Sequence, residues 1–229
     1  MIHADFKCEF SFIRHGESVS NATPGFVAAW DHDAPLTEKG FTQARLLGAR
    51  LRSEGTAFDR VYSSSLARAA QTTRTMLDAM GETDREFPRV EALIEQQVPG
   101  WRGVPQDEIN TPENMAYMRG KGAHFVGPQG ESMRVVQRRV SNWLEDEIIY
   151  NESLTGRPLT LTVGIVGHGN AYRALFQYIM GFDERFLWRI ALDNTSISRF
   201  VFDRGGWAVV ALNDSTHLRR AEPSFETSV

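Results

Sequence analysis

Residues 159–166 read Leu-Thr-Leu-Thr-Val-Gly-Ile-Val, the most apolar strand pattern in the chain. A run with so few polar side chains suits a central strand buried on both faces of a parallel sheet. Each face must then be covered by another layer, which narrows the fold to helices packed on both sides of a sheet. The run ends in Gly167-His168-Gly169-Asn170, and a helical pattern continues to Met180, where Gly181 stops it.

The rest of the chain has the matching rhythm. Phe6, Cys8, Phe10 and Phe12 alternate with Lys7, Glu9 and Ser11, the period of a half-buried strand, and run into Arg14-His15-Gly16. Residues 19–35 are loop-like. Thr37 is placed to cap a helix with Phe41, Ala44, Leu47 and Leu51 on one face, ending near Gly55. A short strand at 58–62 leads to Ser63, Ser64 and Ser65, a cap for a second helix. That helix turns Leu66, Ala69, Thr73, Met76 and Leu77 inward and ends at Gly81. Residues 86–94 read as a third strand. Residues 96–130 are irregular and rich in Gly and Pro, with a helix start at Thr111-Pro112. A segment so long and broken predicts an insertion or lid. An amphipathic helix follows over 131–150, with Val135, Val136, Val140, Trp143, Leu144 and Ile148 inward. A further helix is expected at 183–191 and a hairpin over 197–212, turning at Gly205-Gly206; the tail after Arg220 is polar and loose. The expectation is one three-layer α/β/α domain over residues 1–229, with a mostly parallel sheet.

Composition removes several function classes. A net charge of −4 argues against a general nucleic-acid binder, so any cationic site must be local. The single cysteine, Cys8, allows no intrachain disulfide and fits a reducing compartment. Asp5, Lys7 and Glu9 rule out a signal peptide at the start, and no apolar run reaches membrane-span length. The expected setting is cytoplasmic, with no membrane or nucleic-acid partner.

Two histidines, His15 and His168, each follow a strand directly and sit beside glycine. In a parallel sheet those strand ends point the same way, into the crevice where ligands bind. Arg14 and Arg68 fall at similar positions. Two guanidiniums, two imidazoles and a helix N-terminus converging on one point make an anion site, and phosphate is its natural guest.

These residues resemble the histidine phosphatase superfamily, of the phosphoglycerate-mutase-like fold. Arg14-His15-Gly16-Glu17-Ser18 with Asn21 matches its signature, and Pro35-Leu36-Thr37-Glu38-Lys39-Gly40 with Gln43-Ala44 matches the next block. The run from Tyr62 through Arg68 to Thr72, then Gly130-Glu131-Ser132 and Gly167-His168-Gly169, complete the set in family order. The resemblance covers nearly the whole chain. It implies that His15 is the nucleophile that becomes phosphorylated, and that Arg14, Arg68 and His168 hold the phosphoryl oxygens. Glu95 then matches the carboxyl group that protonates the leaving oxygen, with Glu91, Glu17 and Glu131 as other candidates. Asn21 and Gly169 join Arg14, Arg68 and His168 as implied substrate-binding residues; Asn21 and Asn170 equally suit turn or cap roles. Neither metal nor cofactor is called for.

The chemistry is consistent with that assignment. Phosphomonoester hydrolysis is very slow uncatalysed, and a covalent intermediate divides it. His15 must be unprotonated to attack, and neighbouring cations disfavour its charged form. The leaving alkoxide needs a carboxylic acid of raised pKa, which a partly buried Glu95 beside phosphate would supply.

Within the superfamily, the cofactor-dependent mutases carry a tyrosine three positions after the catalytic glutamate and a lysine further on. Val98 stands at the first position and Gln106 near the second, and residues between Glu95 and His168 are too few for the usual mutase insertion. The pair Arg138-Arg139 reads as a solvated helix face. Gly169-Asn170 does resemble the mutases, and Arg119 and Lys121 could serve a lid. The balance favours hydrolysis of a small phosphorylated metabolite, ahead of mutase-type phosphoryl transfer and of a non-catalytic phospho-ligand binder or scaffold. Specificity is expected in residues 19–33 and 96–130. Met115, Tyr117, Met118 and Phe125 there read either as an adaptable, partly apolar pocket or as packing that holds the lid down. Trp30, Trp101, His124 and Trp188 are candidates for a pocket or for core. His217 lies in an ending, Asn213 to Leu218, that resembles the phosphatase branch, and it receives no role.

Overall fold

The computed structural model describes residues 2–25 and 33–219. Six strands form its sheet: β1 (Phe6–Arg14), β2 (Arg60–Ser64), β3 (Arg89–Val90), β4 (Leu159–Gly167), β5 (Ile197–Asp203) and β6 (Gly206–Asp214). Their spatial order is β3-β2-β4-β1-β5-β6. The apolar run at 159–166 is the inner strand its composition demands: β4 lies between β1 and β2, parallel to both, with Val163, Ile165 and Val166 fully buried. β3 is parallel to β2, whereas β5 runs antiparallel to β1 and β6 antiparallel to β5. The sheet is therefore mixed, with a parallel inner block and an antiparallel hairpin on one edge.

Among the described residues eight α-helices accompany these strands: α1 (Val19–Ala22), α2 (Glu38–Ser53), α3 (Ala67–Met80), α4 (Gln106–Ile109), α5 (Pro112–Lys121), α6 (Met133–Leu144), α7 (Glu152–Thr155) and α8 (Gly169–Met180). Alternation along β1 divides the core between the two sheet faces. Phe10 and Phe12 pack with Val140 and Leu144 of α6 and with Tyr172 and Phe176 of α8. Ile13 packs on the opposite side with Leu47 and Leu51 of α2 and Met76 and Leu77 of α3. Both helix layers thus bear on the strand that delivers Arg14 and His15. None of the described helices is long and apolar enough to cross a membrane.

Local chemistry explains the boundaries. Thr37 Oγ1 accepts from the Gly40 amide to start α2, Thr111 caps α5 with Pro112 at its first position, and Ser132 caps α6. Gly81 and Gly181 end α3 and α8 in the left-handed conformation, at φ 91° and 65°.

Several expectations are corrected. β1 is half-buried only at its start; Ser11 and Ile13 are buried because β1 lies inside the sheet, between β4 and β5. Residues 19–35 include the short helix α1, which Ser18 caps in a reciprocal box with Asn21. Ser63 and Ser64 belong to β2 rather than to a helix cap, and α3 starts after Leu66. Residues 86–94 yield only a two-residue strand, since Pro88 cannot donate to a ladder and a 3-10 turn follows at Glu91–Leu93. The helix over 131–150 ends at Leu144 and passes into a π turn, Glu145–Ile149, whose three leading acids oppose the carbonyl end of a helix. Val135 faces solvent. Residues 183–191 form a 3-10 turn, Glu184–Arg189. Trp30 and the tail beyond Arg219 lie outside the described residues.

Candidate active site

Register brings the two histidines together. Arg14 pairs with Gly167 across β1 and β4, so His15 and His168 leave the sheet side by side, and the His15 amide donates to the Gly167 carbonyl at 3.0 Å. Their ring centroids are 5.0 Å apart. His15 Nδ1 lies 2.6 Å from the Gly16 carbonyl oxygen. A carbonyl only accepts, so Nδ1 carries the proton and Nε2 keeps its lone pair. Arg68 Nε donates toward that lone pair at 3.3 Å, which fits the same tautomer. The Gly16 amide donates to Thr72 Oγ1, one turn along α3 from Arg68, and ties the His15 loop to that helix.

Arg14, Arg68 and His168 enclose the same space. Arg14 donates through Nη1 to the Leu192 carbonyl at 2.5 Å, while its Nε is buried without a partner. His168 Nε2 lies 2.8 Å from Ser64 Oγ. That hydroxyl also accepts from the Leu66 amide at 3.3 Å. His168 Nδ1 is also buried and unpartnered. Buried polar atoms rarely go unsatisfied, and two such atoms beside a lone-pair imidazole outline an anion's place.

Electrostatics keep both imidazoles neutral. Burial first, then the charges of Arg68 and Arg14, hold His15 well below the ordinary histidine value, against a smaller opposing effect of the Gly16 carbonyl. Burial, Arg68, His15 and Arg14 act on His168 in the same direction.

Glu95 closes the site from the side of α8. Its carboxylate accepts from the amides of Gln96 (2.8 Å), Asn170 (3.1 Å) and Ala171 (3.2 Å), and so supplies the helix cap that His168 does not. A methyl group placed on Gly169 would lie 3.7 Å from Arg14 Nε and 3.9 Å from Glu95 Oε2, so both groups flank that glycine. The other carboxylates are engaged elsewhere. Glu17 bonds Thr37 and Lys39, Glu91 is exposed, and Glu131 forms a two-point ion pair with Arg139.

The comparisons agree with this geometry. The family model of the histidine phosphatase superfamily (branch 1) matches residues 10–215. The chain belongs to the histidine phosphatase superfamily. A 2,3-bisphosphoglycerate-dependent phosphoglycerate mutase of Parvibaculum lavamentivorans is 32% identical over 165 residues, which cover 71% of this chain and 75% of that one. A probable phosphoglycerate mutase, GpmB of Yersinia pestis, is 31% identical over 217 residues, 90% of this chain and 93% of its own. A mutant phosphoserine phosphatase of Entamoeba histolytica, solved with phosphoserine, shares the fold at a TM-score of 0.75 and 23% identity, over 93% of this chain and 100% of that one.

Other members of this superfamily site emerge only in three dimensions. Arg139 is no solvated helix residue: it donates to the carbonyls of Ala92, Ile94 and Glu95 and pairs with Glu131, clamping the segment that carries Glu95. Arg138 beside it does face solvent. Asn194 donates to the His15 carbonyl at 3.0 Å and toward Asn21 Oδ1 at 3.4 Å, so Asn21 sits behind the His15 loop as well as in the α1 cap. Asn170 bonds Gln96 and Arg173. The polar run Asp193 to Ser196 marks a turn before β5, but nothing in it reveals that β5 lies beside β1. Among the described residues no group of three or more His, Cys, Asp or Glu is placed to hold a metal ion. A cavity of 580 Å³ opens beyond Gln96 and Asn170, and Trp101 and Trp188 line it; His124 does not.

Proposed function

We propose that this member of the superfamily is a phosphomonoesterase acting through a phosphohistidine at His15, with residues 96–130 covering the alcohol of its substrate. The observation that carries this reading is the His15 Nε2 lone pair held beside Arg68 Nε, with the unpartnered donor Arg14 Nε and His168 Nδ1 around it. These groups are fixed before substrate arrives, and fixed donors are what stabilise the charge that develops on a transferring phosphoryl group.

In the first step, Nε2 attacks phosphorus, a P–N bond forms and the P–O ester bond breaks. The leaving oxygen takes its proton from the Glu95 carboxyl group. Water then attacks phosphorus, gives a proton to Glu95 and releases inorganic phosphate as the P–N bond breaks. Both residues return to their starting forms.

Hydrolysis is favoured over transfer by Val98, buried where the mutases carry a tyrosine, and by a largely apolar cavity beyond Glu95. The opposing observation is that the relatives at 31–32% identity carry mutase names. The two readings part in one assay. Phosphate release from a panel of esters is measured with chelator present, for wild type and His15→Ala, with 3-phosphoglycerate also followed for isomerisation. Release that vanishes in His15→Ala supports the esterase. Isomerisation without release sinks it in favour of the mutase, and folded protein silent on both leaves a phospho-ligand binder.

A further inference from the structure

We infer that the ester taken by this site has a bulky apolar alcohol that also carries a second negative charge; the inference rests on the phosphomonoesterase reading above. Gln96 and Asn170 are the hinge of the argument. Gln96 N and Asn170 N both donate to Glu95, and the two side chains bond each other at 3.2 Å. The same two residues line the 580 Å³ chamber, so the chamber begins directly behind the carboxylate that faces the leaving oxygen. An alcohol whose phosphate sits on His15 and whose oxygen meets Glu95 has this chamber as its continuation.

The walls state what that alcohol should be. Trp101, Met115, Met118, Phe125 and Trp188 supply aromatic and thioether surface. Trp188 is 55% exposed, and α5, which carries both methionines, has no buried residue among its ten. Trp101 stacks on Phe125 with ring centroids 5.9 Å apart, whereas the indole of Trp188 stays largely accessible, and a small polyol acid would leave it in water. The volume is in the range of roughly 300–1,000 Å³ that accommodates a ligand larger than a triose. Methionine adapts to irregular apolar shapes, so an aryl or branched group is accommodated without a rigid fit.

Charge at the rim completes the description. Three arginines border the chamber: Arg119, Arg185 and Arg189. Arg185 is held by Asp183. The side chains of Arg119 and Arg189 make no hydrogen bond or ion pair among the described residues. Glu184 is occupied with the Ala123 amide. Two uncommitted guanidiniums lining a largely apolar chamber suit a carboxylate or second phosphate on the alcohol.

The test uses esters of matched primary alcohols, so that leaving-group reactivity does not decide the result. Ethyl phosphate, 2-phenylethyl phosphate, its para-carboxylated analogue, glycerol 3-phosphate and 3-phosphoglycerate are compared by kcat/KM. The phenylethyl ester should exceed the ethyl ester by about tenfold or more, the scale of discrimination by an apolar pocket. Trp188→Ala should erase most of that margin. The carboxylated ester should gain further, and the gain should vanish in an Arg119→Ala, Arg189→Ala double variant. Release from all esters with equal or reversed preference overturns this inference and leaves the esterase reading standing. No release from any ester overturns both.

Discussion

His217 Nε2 lies 2.9 Å from Thr195 Oγ1, and Thr195 is the residue whose amide reaches the carbonyls of Arg14 (3.0 Å) and His15 (3.3 Å). Arg50 Nη1 approaches His217 Nδ1 at 3.4 Å; a guanidinium only donates, so His217 carries its proton on Nε2 and gives it to Thr195. Thr195 passes its own hydroxyl proton to the Asn194 carbonyl. It is fully buried at φ 56°, a left-handed conformation that costs a β-branched residue energy and must be held in place. His217 therefore positions the loop behind His15 without touching it.

His217→Ala is expected to lower kcat several-fold with little change in KM, and to cost roughly 1–2 kcal/mol of stability through the lost bond to Thr195 Oγ1. The pH dependence separates this from a general loss of packing. Burial first, then Arg50, lower the His217 pKa to about 4 from an ordinary 6.5. The unfolded chain therefore binds more protons between those values, and His217 contributes stability that is present above pH 6.5 and lost as pH falls toward 4. Urea unfolding of wild type and His217→Gln across that range should show a shallower acid loss in the variant. Equal slopes would remove His217 from the account.

Activity should carry its own pH signature. In the proposed reaction His15 attacks only as the neutral imidazole, and burial with Arg68 and Arg14 lowers its pKa well below the usual histidine value. The acid limb of kcat/KM due to His15 should thus lie well below the ordinary histidine value of 6.5. Arg68→Gln removes the larger of the two charge effects, so the His15 titration should move upward, toward the ordinary value. Imidazole proton shifts followed by NMR read this even in an inactive variant, and an unmoved titration would contradict the electrostatic argument.

Arg139 gives a prediction about Glu95. Its guanidinium spans the carbonyls of Ala92, Ile94 and Glu95 and the Glu131 carboxylate, a planar fork that lysine cannot imitate. Arg139→Ala should cost about 2–4 kcal/mol in urea unfolding, since Glu131 and the carbonyls lose a charged donor, and Arg139→Lys should recover only part of that, since an ammonium keeps the charge but not the fork. Both should also reduce kcat as Glu95 loosens. A kcat that survives Arg139→Ala but collapses in Glu95→Gln would show that the clamp serves stability alone.

Arg139 and Thr195 also mark where sequence reasoning stops. β4, the α2 cap at Thr37, the α8 stop at Gly181 and the two histidines at strand ends are written in patterns a few residues long, and so were readable. Arg139 sits on a helix whose period marks it only as peripheral. The carbonyls it holds lie 44 to 47 positions upstream, and a helical wheel carries no information about them. The role of Thr195 depends on β5 lying beside β1, a pairing that follows from the whole sheet. Val135 erred in the other direction: its apolar side chain fits the inward pattern, yet it falls in the first turn of α6 and faces solvent. Which of the four candidate carboxylates reaches the start of α8 depends on the fold, and it is Glu95 that does.

A pair of glycines tests how closely the His15 loop is fitted to α2. A methyl group added to Gly16 would lie 2.6 Å from the Gly40 carbonyl oxygen, and one added to Gly40 would lie 2.1 Å from the Glu17 carbonyl oxygen. Both neighbours are backbone, so neither can rotate away. Gly40→Ala must push the start of α2 off the loop, breaking the Thr37 amide bond to Glu17 and displacing His15 from Arg68. Overpacking of this kind costs typically 1–3 kcal/mol, and the loss of activity should exceed what that destabilisation alone explains. Gly120 is the control. It sits inside α5 at an ordinary helical φ, with nothing within 4 Å of an added methyl group. Gly120→Ala should stabilise by about 0.5–1 kcal/mol, because alanine loses less conformational freedom in a helix. Calorimetry and kcat/KM on the two variants decide the matter. A silent Gly40→Ala would mean that the loop and α2 move as independent pieces, and that His15 owes its position to β1 and β4 alone.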